Sequence, residues 1–231
     1  MGTFRRREKK FLLDQAQYQH FLEQASPFLK RADYFESVIQ SVYYDTQTDA
    51  LIRRSIERPL YKEKLRVRKY LGTENDPLVY IELKKKFEGI GYKRRALADW
   101  NELNEKGLSG CSYSCEQIGK EIRQFAKVYP DLHPRMRIKT TRHSYVDKED
   151  PDIRITFDFN VTYSDEDLNI LEFNEGKELL PEGTVILEVK VPENLPLRYT
   201  KILTGEKIYR RPFSKYGTAY LKELGMKGAA I

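Results

Sequence analysis

This chain contains several segments in which charged and apolar residues alternate. These segments constrain its fold more than any other feature of the sequence. In Lys62–Tyr70, basic residues occupy even positions while Leu65 and Val67 occupy odd ones. Successive side chains of a β-strand point to opposite faces, so this pattern predicts strands with one basic and one apolar face. The predicted strands are Arg5–Leu12, Val38–Tyr44, Lys62–Tyr70, Leu78–Phe87, Ile90–Leu97, Arg135–Val146, Ile153–Tyr163 and Thr184–Val191.

Helical patterns fall between these strands without a regular strand–helix alternation. Asp14 is a predicted N-cap for a helix that runs to about Phe28. The other predicted helices are Thr48–Ile56, Ser114–Val128 and Gly217–Leu224. Many strands with irregularly placed helices favour an antiparallel α+β fold over a doubly wound parallel sheet. Neither a linker nor a repeat interrupts residues 1–231, so we expect a single domain.

The charge on the strand faces is more informative than the modest net charge of +6. An ordinary half-solvated sheet would explain a polar face, but such faces usually mix both signs to avoid repulsion across strands. Here the predicted polar faces together carry twelve basic residues against four acidic ones. If the sheet closes with its basic face inward, only a polyanion can neutralise the interior. Arg forks and Lys ammonium groups suit phosphate oxygens, and the few carboxylates suit Mg²⁺ or Mn²⁺.

The sequence carries no secretory or membrane-spanning signal. Five basic residues lie within Met1–Lys10, but Asp14 and Gln15 interrupt the segment after them, and no long apolar run exists. Cys111 and Cys115 lack nearby histidines, so we expect free thiols. These features predict a cytoplasmic protein without a membrane segment of its own, and they leave open a membrane-protein partner.

Several strings of residues together resemble the VTC domain of polyphosphate polymerases, from about Arg5 to Leu221. The strings are SVYYDT (Ser41–Thr46), YKEKLRVRKY (Tyr61–Tyr70), VYIELKKKFEGIGYKRR (Val79–Arg95), IRITFDFNV (Ile153–Val161), ILEVKV (Ile186–Val191) and FSKYGTAY (Phe213–Tyr220). That family belongs to the triphosphate tunnel metalloenzymes. The resemblance therefore implies an eight-stranded antiparallel β-tunnel barrel with helices packed outside.

The resemblance also implies residue roles. ATP, inorganic polyphosphate or triphosphate would bind inside the tunnel, together with Mn²⁺ or Mg²⁺. The residues expected to act in phosphoryl transfer are Arg66, Arg68, Lys84, Arg154 and Lys215. Further substrate contacts are expected from Glu8, Lys10, Lys93, Arg95, Arg142 and Lys190. Glu188 is the expected metal ligand, with Glu82 and Asp158 as weaker candidates.

Two details qualify this assignment. The hydrolase and cyclase branch of the superfamily begins with Glu-x-Glu-x-Lys, whereas the same positions here are Arg6, Glu8 and Lys10. The missing glutamate favours the VTC branch over a triphosphatase. The eukaryotic VTC proteins also carry a regulatory domain and membrane helices, which this sequence lacks, so it resembles the stand-alone bacterial form. Strand parity separates Arg142 from Arg137, so Arg142 lines the tunnel only if a β-bulge intervenes, and Arg137 is the alternative.

Four functions are compatible with these patterns. The leading one is a polyphosphate polymerase that moves the γ-phosphate of ATP onto a growing chain. A metal-dependent triphosphatase and a non-catalytic polyphosphate-binding module are the alternatives. Nucleic-acid binding through the basic faces is the fourth, but neither an RNP motif nor a recognition helix supports it. We therefore expect no nucleic-acid partner.

Overall fold

The computed structural model describes residues 7–57, 59–72, 76–88 and 90–226. Its strands are β1 (Arg7–Leu13), β2 (Leu29–Asp45), β3 (Tyr61–Tyr70), β4 (Leu78–Phe87), β5 (Ile90–Asp99), β6 (His133–Asp147), β7 (Arg154–Ser164), β8 (Lys177–Glu178) and β9 (Val185–Val191). Its helices are α1 (Gln15–Ala25), α2 (Ala50–Ile56), α3 (Trp100–Gly110), α4 (Glu116–Val128), α5 (Leu197–Gly205) and α6 (Lys215–Glu223). This confirms the predicted α+β class.

The strands form one sheet in the order β1-β9-β7-β6-β2-β3-β4-β5, with the short β8 paired to β7. The neighbouring pairs β1–β9, β7–β9, β2–β3, β3–β4 and β4–β5 are all antiparallel, as predicted. Among the described residues this order begins at β1 and ends at β5. Closure of the sheet into a tunnel therefore stays a prediction.

The chain divides into two compact units. The first contains the described residues of Met1–Val38, Thr140–Thr162 and Glu178–Ile231. The second contains those of Ile39–Lys139 and Tyr163–Lys177. Each unit has its own apolar core, and the residues of the long strands β2 and β6 are divided between the two units. No helix in the described part of the chain is both long and apolar enough to cross a membrane.

In the first unit, α1 and α5 pack on the apolar face of β1, β7 and β9. Phe21, Phe157 and Tyr199 are fully buried there. Asp14 begins α1 as predicted, because its carboxylate accepts from the Gln17 amide at 2.8 Å and the Gln17 side chain accepts from the Asp14 amide at 3.2 Å. The helix ends at Ala25 rather than Phe28. Pro27 has no amide hydrogen to continue it, so a short 3₁₀ turn follows.

In the second unit, α3 and α4 cover the apolar face of the β3–β5 meander. Leu65, Val67, Ile81 and Leu83 are completely buried in this core. Burying each such side chain stabilises the fold by ~1.5–3 kcal/mol. The helix α3 is absent from the predicted elements, although Asp99 caps it by accepting from the amides of residues 101 and 102. Most basic side chains of these strands consequently lie on the opposite face from the helices, whereas Lys85 and Arg94 lie on the helix-covered face.

The helix α5 is a second element that the residue pattern does not predict. It begins directly after Pro196, which lacks a side-chain oxygen and makes no capping hydrogen bond. A start signal of the usual Ser, Thr, Asp or Asn type is therefore absent from its sequence.

Candidate functional site

Eight basic residues lie on one face of the β3–β5 meander, in four rows of cross-strand neighbours. The rows are Arg68–Tyr80–Leu97, Arg66–Glu82–Arg95, Lys64–Lys84–Lys93 and Lys62–Lys86–Gly91. We call this set the basic face. Within its described rows Glu82 is the one carboxylate. Rows of a β-sheet face are about 6.6 Å apart along a strand, so the basic face extends over roughly 20 Å.

Glu82 is the counter-ion at the centre of the basic face, with only 1% of its side chain exposed. Its Oε2 lies 2.6 Å from Arg66 Nη2 and 3.9 Å from Arg68 Nη1. Its Oε1 lies 2.6 Å from Lys93 Nζ and 3.2 Å from Arg95 Nε. One negative charge therefore neutralises four cations only partly, and an added anion would find positive charge here.

Hydroxyl groups and rings hold the guanidinium groups in place. Arg66 donates to the Tyr43 hydroxyl at 3.0 Å, and Arg68 donates to the Ser41 hydroxyl at 3.2 Å. The Arg95 guanidinium lies 3.6 Å from the centroid of the Tyr80 ring, a cation–π contact. Such contacts fix the orientation of these guanidinium groups before a ligand binds, which lowers the entropy cost of binding.

These supporting residues are not among the site residues predicted from the sequence. Parity on β2 could have found two of them, because Ser41 and Tyr43 alternate with Val42, whose side chain packs in the apolar core. The register places Ser41 opposite Arg68 and Tyr43 opposite Arg66.

The charges and the burial of the basic face shift the pKa values of both its carboxylate and one of its lysines. Burial alone would raise the pKa of Glu82, but Arg66, Arg68 and Lys93 outweigh it and hold that pKa well below its usual range. Desolvation lowers the pKa of Lys93 to about 8, aided by Arg66 and Arg68, even though Glu82 opposes the shift. Lys93 keeps 47% of its side chain exposed, so a ligand can reach it. Near neutral pH the face is cationic and close to the point where one proton is lost.

A second group of charges lies in the first unit, and we call it the Glu188 cluster. It consists of Glu8 and Lys10 on β1, Arg142 on β6, Asp158 on β7, Glu188 and Lys190 on β9, and Lys215 at the start of α6. The register of β1 and β9 pairs Glu8 with Lys190 and Lys10 with Glu188, so each carboxylate faces an ammonium group.

One ammonium group of this cluster is shared by two carboxylates. Lys10 Nζ lies 3.1 Å from Glu8 Oε1 and 3.6 Å from Glu188 Oε2. The other oxygen of Glu188 lies 2.7 Å from Lys190 Nζ. Burial would raise the pKa of Glu188, but Lys190 and Lys10 outweigh it and hold that pKa well below the usual value. Glu188 is therefore an anion at neutral pH.

Asp158 is fully buried and engaged by two cations. Arg142 donates to its two oxygens at 2.5 and 2.8 Å, and Lys215 also donates to Asp158. Arg137 lies elsewhere and donates to the backbone carbonyls of residues 167, 174 and 175. Of the two arginines separated by strand parity, Arg142 is thus the one in the Glu188 cluster, while Arg137 holds the loop of residues 167–175 through its backbone carbonyls.

The remaining predicted site residues lie on the expected strand faces. Lys84 lies opposite Lys64 and Lys93 in the register of the basic face. Arg154 is exposed and lies opposite Lys190. Arg6, which replaces the first glutamate of the hydrolase motif, falls outside the described residues.

The donor set fits a divalent ion that is held mainly by phosphate. Within residues 7–57, 59–72, 76–88 and 90–226, no three His, Cys, Asp or Glu side chains group closely enough to bind a metal by themselves. Mg²⁺ commonly takes one or two carboxylates and completes its shell with phosphate and water. Glu188 and Glu8 fit that role, since together they already surround one cation. Asp158 accepts from Arg142 through both oxygens and also from Lys215, and Glu82 lies within 3.9 Å of four cations; these denser contacts favour a counter-ion role for them.

The fold and the two groups of charge define an antiparallel α+β protein with a cationic site. A family model described as the VTC domain matches residues 5–223. The chain belongs to the VTC domain family, which confirms the resemblance drawn from the sequence.

The solved structures similar to this chain include two that align over nearly its whole length. The X-ray structure of a "putative adenylate cyclase" from Vibrio parahaemolyticus aligns with a TM-score of 0.51 and 11% identity, over 95% of this chain and 99% of that one. The PH1819 protein from Pyrococcus horikoshii OT3 aligns with a TM-score of 0.47 and 13% identity, over 94% and 99%. No curated protein matches the chain. The first alignment supports the fold and says nothing of the reaction.

Proposed function

We propose that this protein is a polyphosphate polymerase that transfers the γ-phosphoryl group of ATP to the end of an inorganic polyphosphate chain. The observation that carries the proposal is the basic face, with eight cations and one carboxylate in four described rows. Like charges this close repel one another unless an anion lies between them. A face of roughly 20 Å fits a chain of phosphates better than a single triphosphate.

The chemistry requires little beyond positioning and charge neutralisation. The bond between the γ-phosphorus and the β–γ bridging oxygen breaks as an acceptor phosphate oxygen bonds to that phosphorus, and ADP leaves. The acceptor is already an anion, so no side chain has to remove a proton from it. Arg66, Arg68 and Lys93 would hold phosphate oxygens in line and stabilise the charge of the transition state.

The Glu188 cluster is assigned to the same reaction by the family resemblance. Glu188, with Glu8, would hold a divalent ion, which when bound neutralises charge on the transferring phosphoryl group. Lys10 and Lys190 would turn from these carboxylates, and Lys215 from Asp158, toward phosphate oxygens. Ion pairs in the free protein would thus be exchanged for ion pairs with ligand, which keeps the charge of the cluster balanced.

The test uses two adjacent lysines that lie on opposite faces of β4. Purified protein is incubated with γ-labelled ATP, Mn²⁺ and a short polyphosphate primer, and the products are separated by length. Polymer together with ADP is the expected result. Lys84→Gln, on the basic face, should lower the rate, and Lys85→Gln, on the helix-covered face, should not. Free phosphate without polymer would favour the triphosphatase, and the absence of both products would favour a binding module.

A further inference from the structure

Four large side chains remain exposed at one end of the β3–β5 meander. Leu60 is 71% exposed, Phe87 47%, Tyr61 39% and Tyr92 36%. The register places Tyr61 directly opposite Phe87, and the Glu88 amide bonds to the Leu60 carbonyl at 2.9 Å. Cross-strand neighbours are about 5 Å apart, so these side chains form one patch rather than scattered contacts. We call it the tip patch.

Lysines surround the tip patch. Lys62 and Lys86 are cross-strand neighbours one position inside Tyr61 and Phe87, and Lys85 lies opposite Tyr92. The nearby Glu63 is 8% exposed, and its carboxylate accepts from the hydroxyls of Tyr61 and Tyr129. Lys85 also lies 3.6 Å from Glu63 Oε1, and the exposed Glu88 directly follows Phe87. Three lysines against one exposed carboxylate leave the accessible charge around the patch positive.

We propose that the tip patch docks this protein onto the surface of an anionic lipid bilayer. Aromatic side chains favour the headgroup boundary, where their rings leave water while polar atoms stay hydrated. Lysine stems lie along apolar surface and bring their ammonium groups to lipid phosphates, each contributing about 1 kcal/mol beside an anionic membrane.

The shape of the patch favours a bilayer over a protein partner. Phe87 and Tyr92 lie at the end of the β4–β5 hairpin, and Leu60 and Tyr61 lie beside it at the start of β3, where a soft surface can receive them without a matching groove. Partial insertion with a ring of lysines fits peripheral attachment, which needs no spanning helix. This inference is independent of the proposed phosphoryl transfer.

The first test measures sedimentation of the full chain with vesicles. Vesicles of phosphatidylcholine with about 30% phosphatidylglycerol should bind the protein, and pure phosphatidylcholine should not. Phe87→Ser/Tyr92→Ser keeps every charge and should weaken binding at least about tenfold, because even half the burial of two aromatic side chains is worth that much. Tyr34→Ser is the matched control, since Tyr34 is 86% exposed in the first unit and should be dispensable.

A second measurement reports insertion directly. Phe87→Trp places an indole in the tip patch, whereas the natural Trp100 is buried. Its emission should shift to the blue when anionic vesicles are added. The proposal is overturned if the wild type does not bind, if Phe87→Ser/Tyr92→Ser binds as tightly as the wild type, or if the emission does not shift. If Phe87→Ser/Tyr92→Ser binds as tightly as the wild type, vesicle binding comes from attraction by the basic face alone. If the tip patch instead binds a protein, neither sedimentation with vesicles nor a shift in emission should be seen.

Discussion

Replacing Glu82 with glutamine separates its role as a counter-ion from a role as a metal ligand. The substitution keeps the size of the side chain and removes the negative charge that Arg66, Arg68, Lys93 and Arg95 share. Removing one partner of a buried ion pair destabilises proteins by about 3–5 kcal/mol. These cations are 11–47% exposed, so we expect a loss near the lower limit, about 3 kcal/mol.

Ligand binding should change in the opposite direction. At an effective dielectric constant of about 20, removing a negative charge about 5 Å from a phosphate oxygen is worth up to ~3 kcal/mol. Solvent screening reduces this gain. We therefore expect Glu82→Gln to bind inorganic triphosphate about tenfold more tightly than the wild type.

The assay combines urea unfolding with calorimetry. The free energy of unfolding is measured with and without triphosphate, and Kd is measured directly. Glu63→Gln is the matched control, because Glu63 is a buried carboxylate on the opposite face of β3. It should lose stability without any change in triphosphate affinity. Weaker triphosphate binding by Glu82→Gln, restored by raising the Mn²⁺ concentration, would refute the counter-ion role and indicate a metal ligand.

Three further predictions concern protons, the metal and ring contacts. The pKa of Lys93 in the free protein is about 8, and a bound phosphate raises it, so triphosphate binding should take up a proton and weaken as the pH rises above 8. Calorimetry in buffers of different ionisation heat measures this proton uptake, and an unchanged uptake in Lys93→Arg would contradict the prediction. Glu188→Gln should lower turnover at least about a hundredfold, measured by single-turnover kinetics, while calorimetry should show that triphosphate still binds. Full activity of this variant would exclude Glu188 as a metal ligand. Tyr80→Leu should raise the Kd for triphosphate about threefold to tenfold through the lost contact with Arg95, whereas an unchanged Kd would show that the ring does not position the guanidinium.

The strands were predictable because the residue pattern repeats the geometry of a sheet. In Lys62–Arg68 basic and non-basic residues alternate at every position, and the structure buries the odd positions from Glu63 to Lys69 while the even ones stay partly exposed. The helices were less predictable where a start signal is weak, as at Pro196, or follows a strand without a break, as at Asp99.

The candidate site was predictable only within a strand. Parity correctly grouped Arg66 with Arg68 and Glu188 with Lys190, since these pairs share a face. The bond from Arg142 to Asp158 joins two strands, and the match of Tyr43 to Arg66 depends on register. Register is set by packing and turns across the sheet, and a single strand's sequence does not contain it.

A crystal structure of the protein with inorganic triphosphate would show directly whether the basic face binds phosphate. We expect phosphate oxygens within hydrogen-bonding distance of Arg66, Arg68 and Lys93, with the triphosphate running along the rows toward Lys64 and Lys84. Triphosphate bound only outside the basic face, with Arg66 and Lys93 still paired to Glu82 alone, would contradict this expectation.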